Sequence, residues 1–167
     1  MKAALALAAA LALTACGGTS EIEQAMTSPA LCQLPDVQAS YERMADLPSA
    51  VAKDLLSRFA DVPTYESAEH LDQAIAPRGG YFNGTGTRSS LLPNRRFVEA
   101  VQRGDDIAVI YEHGGGPHVH VVLYRRDGES WHAHANVISA ERVHCETAAR
   151  VMTNPRDPAL WFSRIDW

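Results

Sequence analysis

Cysteine is scarce, with three in 167 residues, and aromatic side chains make up only 7% of the chain. So few cysteines cannot build the dense cross-linking on which very small secreted folds rely. Positive charge is outnumbered, 15 Lys and Arg against 20 Asp and Glu for a net of −5, which argues against nonspecific binding to nucleic acid or anionic lipid. After the first 15 residues no stretch approaches the roughly 18 apolar residues that a spanning helix needs. Nor is there a Gly-x-Ser-x-Gly elbow, a Cys-x-x-Cys pair or a phosphate-binding glycine loop. No motif fixes a reaction, and the expectation is a protein that binds rather than catalyses. What is present is a hydrophobic fraction of 46%, enough for one globular domain of about 150 residues with a real core.

The chain opens with Lys2 and an Ala/Leu run from Ala3 to Leu13, followed by Leu13-Thr14-Ala15-Cys16. A short positive segment, an apolar stretch and small residues before the cut are the pattern of an export signal. The last four residues resemble the lipobox of bacterial lipoproteins, and the resemblance covers residues 1–16 alone. It implies cleavage before Cys16, then acylation of its thiol and of the new amino terminus. At about 0.8 kcal/mol per buried methylene, several chains make a durable anchor. Gly17 and Gly18 lack the acidic residue that favours inner-membrane retention, so the resemblance implies the outer membrane, facing the periplasm. The expected organisation is a signal peptide over 1–15, a lipidated tether over 16–31 and one domain over 32–167.

Lipidation of Cys16 leaves Cys32 and Cys145. In an oxidising compartment an even pair points to a disulfide, with two separate buried thiols as the alternative.

The fold class expected is α+β, with N-terminal helices packed on one face of a four-stranded antiparallel meander and a helix after it. Asp36 is placed to cap a helix carrying Val37, Tyr41 and Met44. A second helix puts Val51, Leu55 and Phe59 on one face, and a third follows Ser67 with Leu71 and Ile75 inward. Glycines between Pro77 and Asn94 make a long loop. From Arg95 the period becomes two, giving strands at about 95–102, 106–113, 117–126 and 130–138, broken at Gly104, Gly114-Gly115-Gly116 and Gly128. Ser139 is expected to cap a last helix to about Met152, carrying Val143, Ala148 and Val151. Trp161, Phe162, Ile165 and Trp167 are expected to dock the C-terminus.

Five of the seven histidines lie within 22 residues: His113, His118, His120, His132 and His134. With Asp127-Gly128 as a two-residue turn, His118 and His120 share a face with apolar residues. With Arg126-Asp127-Gly128 as a three-residue loop, His118, His120, His132 and His134 share a wet face, and Val119, Val121, Leu123 and Trp131 the dry one. Burial favours the second register, which sets His120 opposite His134. Four imidazoles so placed offer a site for zinc or copper, with Glu112 and Asn136 as the nearest carboxylate or outer partner. Without a metal they are simply a polar sheet surface.

Arg78, Arg88, Arg95 and Arg96 surround the glycine-rich loop in an otherwise acidic chain, a candidate grip for an anionic envelope component. His113-Gly114-Gly115-Gly116 resembles the oxyanion-hole motif of some lipases and esterases, but over four residues and without the nucleophile that chemistry requires. The anchor yields the first test. Cys16→Ser should shift the protein from the membrane to the soluble fraction, and mass spectrometry finding an unmodified amino terminus on the wild-type protein would contradict it.

Overall fold

β-Branched and aromatic residues fill the second half of the chain, and glycines with positive φ fold it back on itself. The computed structural model describes residues 28–60, 75–84, 92–114, 118–157 and 160. The expected signal peptide, Cys16 and most of its tether, the helix after Ser67 up to Leu71, Arg88 and the C-terminal aromatics lie outside them. In chain order the elements are β1 (Ala39–Tyr41), α1 (Ser49–Ala60), β2 (Arg95–Arg103), β3 (Asp106–His113), β4 (His118–Asp127), β5 (Ser130–Ala140) and α2 (His144–Thr153). Short 3-10 turns occupy Met44–Asp46 and Glu141–Val143. The strands form one antiparallel sheet in the order β1-β2-β3-β4-β5. The class is α+β. No helix of the described residues is long and apolar enough to cross a membrane.

Three expectations are corrected. The sheet has five strands instead of four, because the segment read as a helix after Asp36 turns at Pro35-Asp36, with Asp36 at φ 61°, and then pairs with β2 through Ala39 to Tyr41. A left-handed residue leading into an extended strand leaves no room for a helix there. Secondly, Ser139 belongs to β5 and caps nothing; its hydroxyl meets Thr147 Oγ1 at 2.8 Å. Val143 is exposed, and α2 turns His144, Thr147, Ala148, Val151 and Met152 inward.

The third correction decides the site. Helices cover both faces of the sheet. α1 presents Val51, Leu55 and Phe59, at the expected helical spacing, to Val109, Tyr111, Val122 and Tyr124. On the other side Ala148, Val151 and Met152 of α2 meet Ala108, Ile110, Val121 and Leu123. Consecutive residues of β3 and β4 therefore alternate between two cores, which is why Ile107 to Tyr111 and Val119 to Tyr124 are buried without a break. The Tyr124 hydroxyl ties the first of these layers together by donating to Asp54 Oδ2 at 2.9 Å.

With β4 buried on both faces from Val119 to Tyr124, hydrophobic alternation does not select the register between β4 and β5. Gly128 and Glu129 form a two-residue turn inside the Asp127↔Ser130 pair, with Gly128 at φ 60°. Positive φ at the first central position is what a type II′ turn asks of glycine. Farther along, Tyr124 faces Ala133 but Leu123 faces Ala135, so His134 is the extra residue of a β-bulge. The bulge reverses parity in β5. Trp131 and Ala133 lie against the α1 core, whereas Ala135 and Val137 belong to the α2 core.

One ion pair is sealed where β2 begins and β3 ends. Arg96, 1% exposed, lies opposite Glu112 in the ladder and binds it through Nε at 2.5 Å and Nη2 at 3.0 Å. Its guanidinium also covers the Phe82 ring, 4.5 Å from the centroid. Removing one member of such a pair strands the other charge. Glu112→Leu is expected to destabilise by about 3 to 5 kcal/mol, and Arg96→Met on top of it to recover most of that loss. Denaturant midpoints of Glu112→Leu, Arg96→Met and the double variant test this, and two additive losses would refute it.

Candidate metal centre

The histidines that converge are His113, His118 and His120. Tyr111 pairs with His120 across β3 and β4, so His113 and His118 stand on the same face one step towards the hairpin end. One nitrogen from each of the three lies within 4.8 Å of the others. His113 meets the His120 ring at 5.4 Å between centroids, and His118 meets it at 5.9 Å. His120 opposes Ile138 instead of His134. His132 sits opposite Arg125 near the far turn, His134 is in the bulge, and both are exposed. The four-histidine face is thus replaced by a three-histidine cluster. The side chain that the sequence reading left out of the ligand set, His113, belongs to it.

His120 is the organising member, being only 6% exposed. Tyr111 stacks on it, with ring centroids 4.8 Å apart and planes 17° from parallel. Its Nδ1 lies 3.3 Å from Asn136 Oδ1, whereas its Nε2 is buried without a hydrogen-bond partner among the described residues. An amide oxygen only accepts, so Nδ1 carries the proton and Nε2 keeps a lone pair. Burial, opposed by the Asn136 contact and aided by the neighbouring His113, His118 and Arg95, lowers the His120 pKa to about 4. The ring is neutral at pH 7. A neutral imidazole with one nitrogen fixed by an outer acceptor and the other unsatisfied is the form in which histidine binds a metal.

The backbone around the cluster is tightly held. Gly114 N–H donates to the Asn94 carbonyl at 2.7 Å, and a Cβ at Gly114 would collide with the carbonyl oxygen of Asn83. Asn83 is itself fixed to Pro93 through its N–H and to Leu92 and Asn94 through its side-chain amide. Only glycine allows so close an approach. Glu112, considered from sequence as a carboxylate partner, points to the opposite face and binds Arg96. Asn136 does take the outer position.

Among the described residues, the arginines of the candidate set do not gather. Arg95 shares the face of His113, lies over the Phe59 ring at 4.2 Å and neighbours the Tyr111 hydroxyl. Arg96 faces the other way towards Glu112. Arg78 donates to the carbonyls of Val98 and Pro29 at 2.8 and 2.6 Å. These three are directed at separate internal partners.

No family model, no curated protein and no solved structure matches this chain. The chemistry of the site rests on its own residues.

Because His120 binds its proton more weakly when folded (pKa about 4) than in an ordinary solvated ring, its neutral form is stabilised by folding. That contribution is complete above the unfolded value of about 6.5 and is lost as pH falls from there through about 4. In metal-free protein, stability should therefore drop by up to roughly 2 to 3 kcal/mol across this window. His120→Gln should flatten the fall in a series of denaturation curves from pH 7 to 4. An unchanged slope would contradict the assignment.

Proposed function

We propose that this is a lipid-anchored cell-envelope protein whose domain binds a transition-metal ion, zinc or copper, through His113, His118 and His120 without catalysing a reaction. The observation that carries the reading is His120: buried, held by Asn136 through Nδ1, and presenting an unsatisfied Nε2 beside two further imidazoles. A buried polar atom without a partner costs about 1 to 3 kcal/mol, and a metal ion removes that cost. Imidazole is a ligand for zinc, copper and nickel, and three of them leave a coordination position for water or a donor from a partner. The position at the end of the β3-β4 hairpin suits delivery or sensing of an ion at the periplasmic side of the outer membrane. The anchor at Cys16 supplies that location in the proposal.

The test is metal binding by the oxidised protein. Calorimetry near pH 7 should detect one zinc or copper ion per chain. His120→Ala and Asn136→Ala should each weaken it at least tenfold, about 1.4 kcal/mol, while His132→Ala and His134→Ala leave it unchanged. Absence of binding at micromolar metal, or equal losses at His132 and His134, would refute the proposal.

A further inference from the structure

On the opposite side of the sheet, four other groups meet. Cys32 and Cys145 are joined, with sulfurs 2.13 Å apart and α-carbons 5.2 Å apart. Beneath them Glu99, fully buried, accepts the Cys32 N–H through Oε1 at 2.7 Å, and its Oε2 has no hydrogen-bond partner among the described residues. His144 Nε2 lies 3.3 Å from Cys145 Sγ and 4.0 Å from Glu99 Oε1. One ligand atom from each of Cys32, Glu99, His144 and Cys145 falls within 4.8 Å of all the others. The Cys32–Cys145 bond alone needs neither a buried carboxylate with a spare oxygen nor a histidine at the sulfur.

We propose that opening the Cys32–Cys145 bond creates a second metal site, in which both thiolates, His144 Nε2 and the Glu99 carboxylate hold one zinc-like ion, so that disulfide and metal exclude each other. A dithiol reductant supplies two electrons and two protons and becomes a disulfide itself. The S–S bond breaks and two thiols form. Metal binding then releases the two thiol protons to solvent as two sulfur–metal bonds form.

Each group meets a requirement of such a site. His144 turns both ring nitrogens to carbonyl oxygens, Nδ1 to Glu141 and Nε2 to Ala30 at 3.0 Å. A metal at Nε2 requires that nitrogen to release its proton to solvent and give up the Ala30 contact, while Nδ1 keeps a proton for the Glu141 carbonyl, the usual outer arrangement of a metal-bound histidine. Two thiolates and a carboxylate carry one more negative charge than a divalent ion neutralises. Arg78, anchored on the Val98 carbonyl next to Glu99, supplies the compensating positive charge. Thiolates at about 2.3 Å from a tetrahedral zinc stand roughly 3.8 Å apart. Cys145 is fixed in α2, but Cys32 belongs to a segment without helix or strand, which can take up that separation. Burial raises the Glu99 pKa, and a cation in the site would offset that by favouring the carboxylate.

The experiment uses the full chain, reduced by a water-soluble phosphine under anaerobic conditions and titrated with cobalt(II). Thiolate-to-cobalt charge-transfer absorption is expected at one cobalt per chain, and zinc should abolish it by displacement. Glu99→Gln and His144→Gln should each weaken cobalt binding at least tenfold. His120→Ala should leave the absorption unchanged, and the oxidised protein should lack it. Loss of binding in oxidised protein would count against the histidine cluster, whereas this proposal fails on the reduced protein alone. No thiolate absorption in the reduced wild-type chain, folded or unfolded, overturns it, as does an absorption that Glu99→Gln and His144→Gln leave intact.

Discussion

The structure depends on a sheet whose central strands have no wet face. Once α1 closes one side and α2 the other, every side chain from Ile107 to Tyr111 and from Val119 to Tyr124 is buried. A polar group on these strands must then find a partner or lose its charge. Arg96 and Glu112 neutralise each other, Tyr124 donates to Asp54, and His120 gives up its proton. The last of these matters for function, because a histidine kept neutral by burial is prepared as a metal ligand.

The same constraint explains why candidate metal-binding groups lie at the sheet margins. At the hairpin end, His113 and His118 are only partly buried and lie where they would reach an ion held by His120 in the proposed site. Under the N-terminal segment, Glu99 and His144 are enclosed by the Cys32–Cys145 link. Each group combines a buried member having a spare acceptor, His120 or Glu99, with two partners nearer the surface. They face opposite sides of the sheet, so what happens at one does not require the other.

Much of the architecture was legible in the sequence. Glycine at 104 and 128 with alternating residues between them marked β2 to β5 to within about two residues, and Val51, Leu55 and Phe59 marked α1. β1 was missed because Val37, Tyr41 and Met44 recur at helical spacing, whereas a strand of only three residues is too short to show an alternation. The histidine register was misread for a definable reason. Assuming one solvated face made the alternation from Val119 to Trp131 decisive, although Val121-Val122-Leu123-Tyr124 is an unbroken apolar run, the mark of a strand buried on both sides. The bulge at His134 then changed parity within β5, and nothing in its composition announces it. His113 was within reach: a hairpin closed around 114–117 must bring residue 113 beside 118.

The central claim concerns one ring, and histidine-selective nitrogen NMR on metal-free, oxidised protein near pH 6 tests it most directly. The account predicts that His120 is neutral there, protonated on Nδ1, and that adding one equivalent of zinc moves its Nε2 resonance while those of His132 and His134 stay in place. A His120 ring that is doubly protonated at pH 6, or protonated on Nε2, would contradict it.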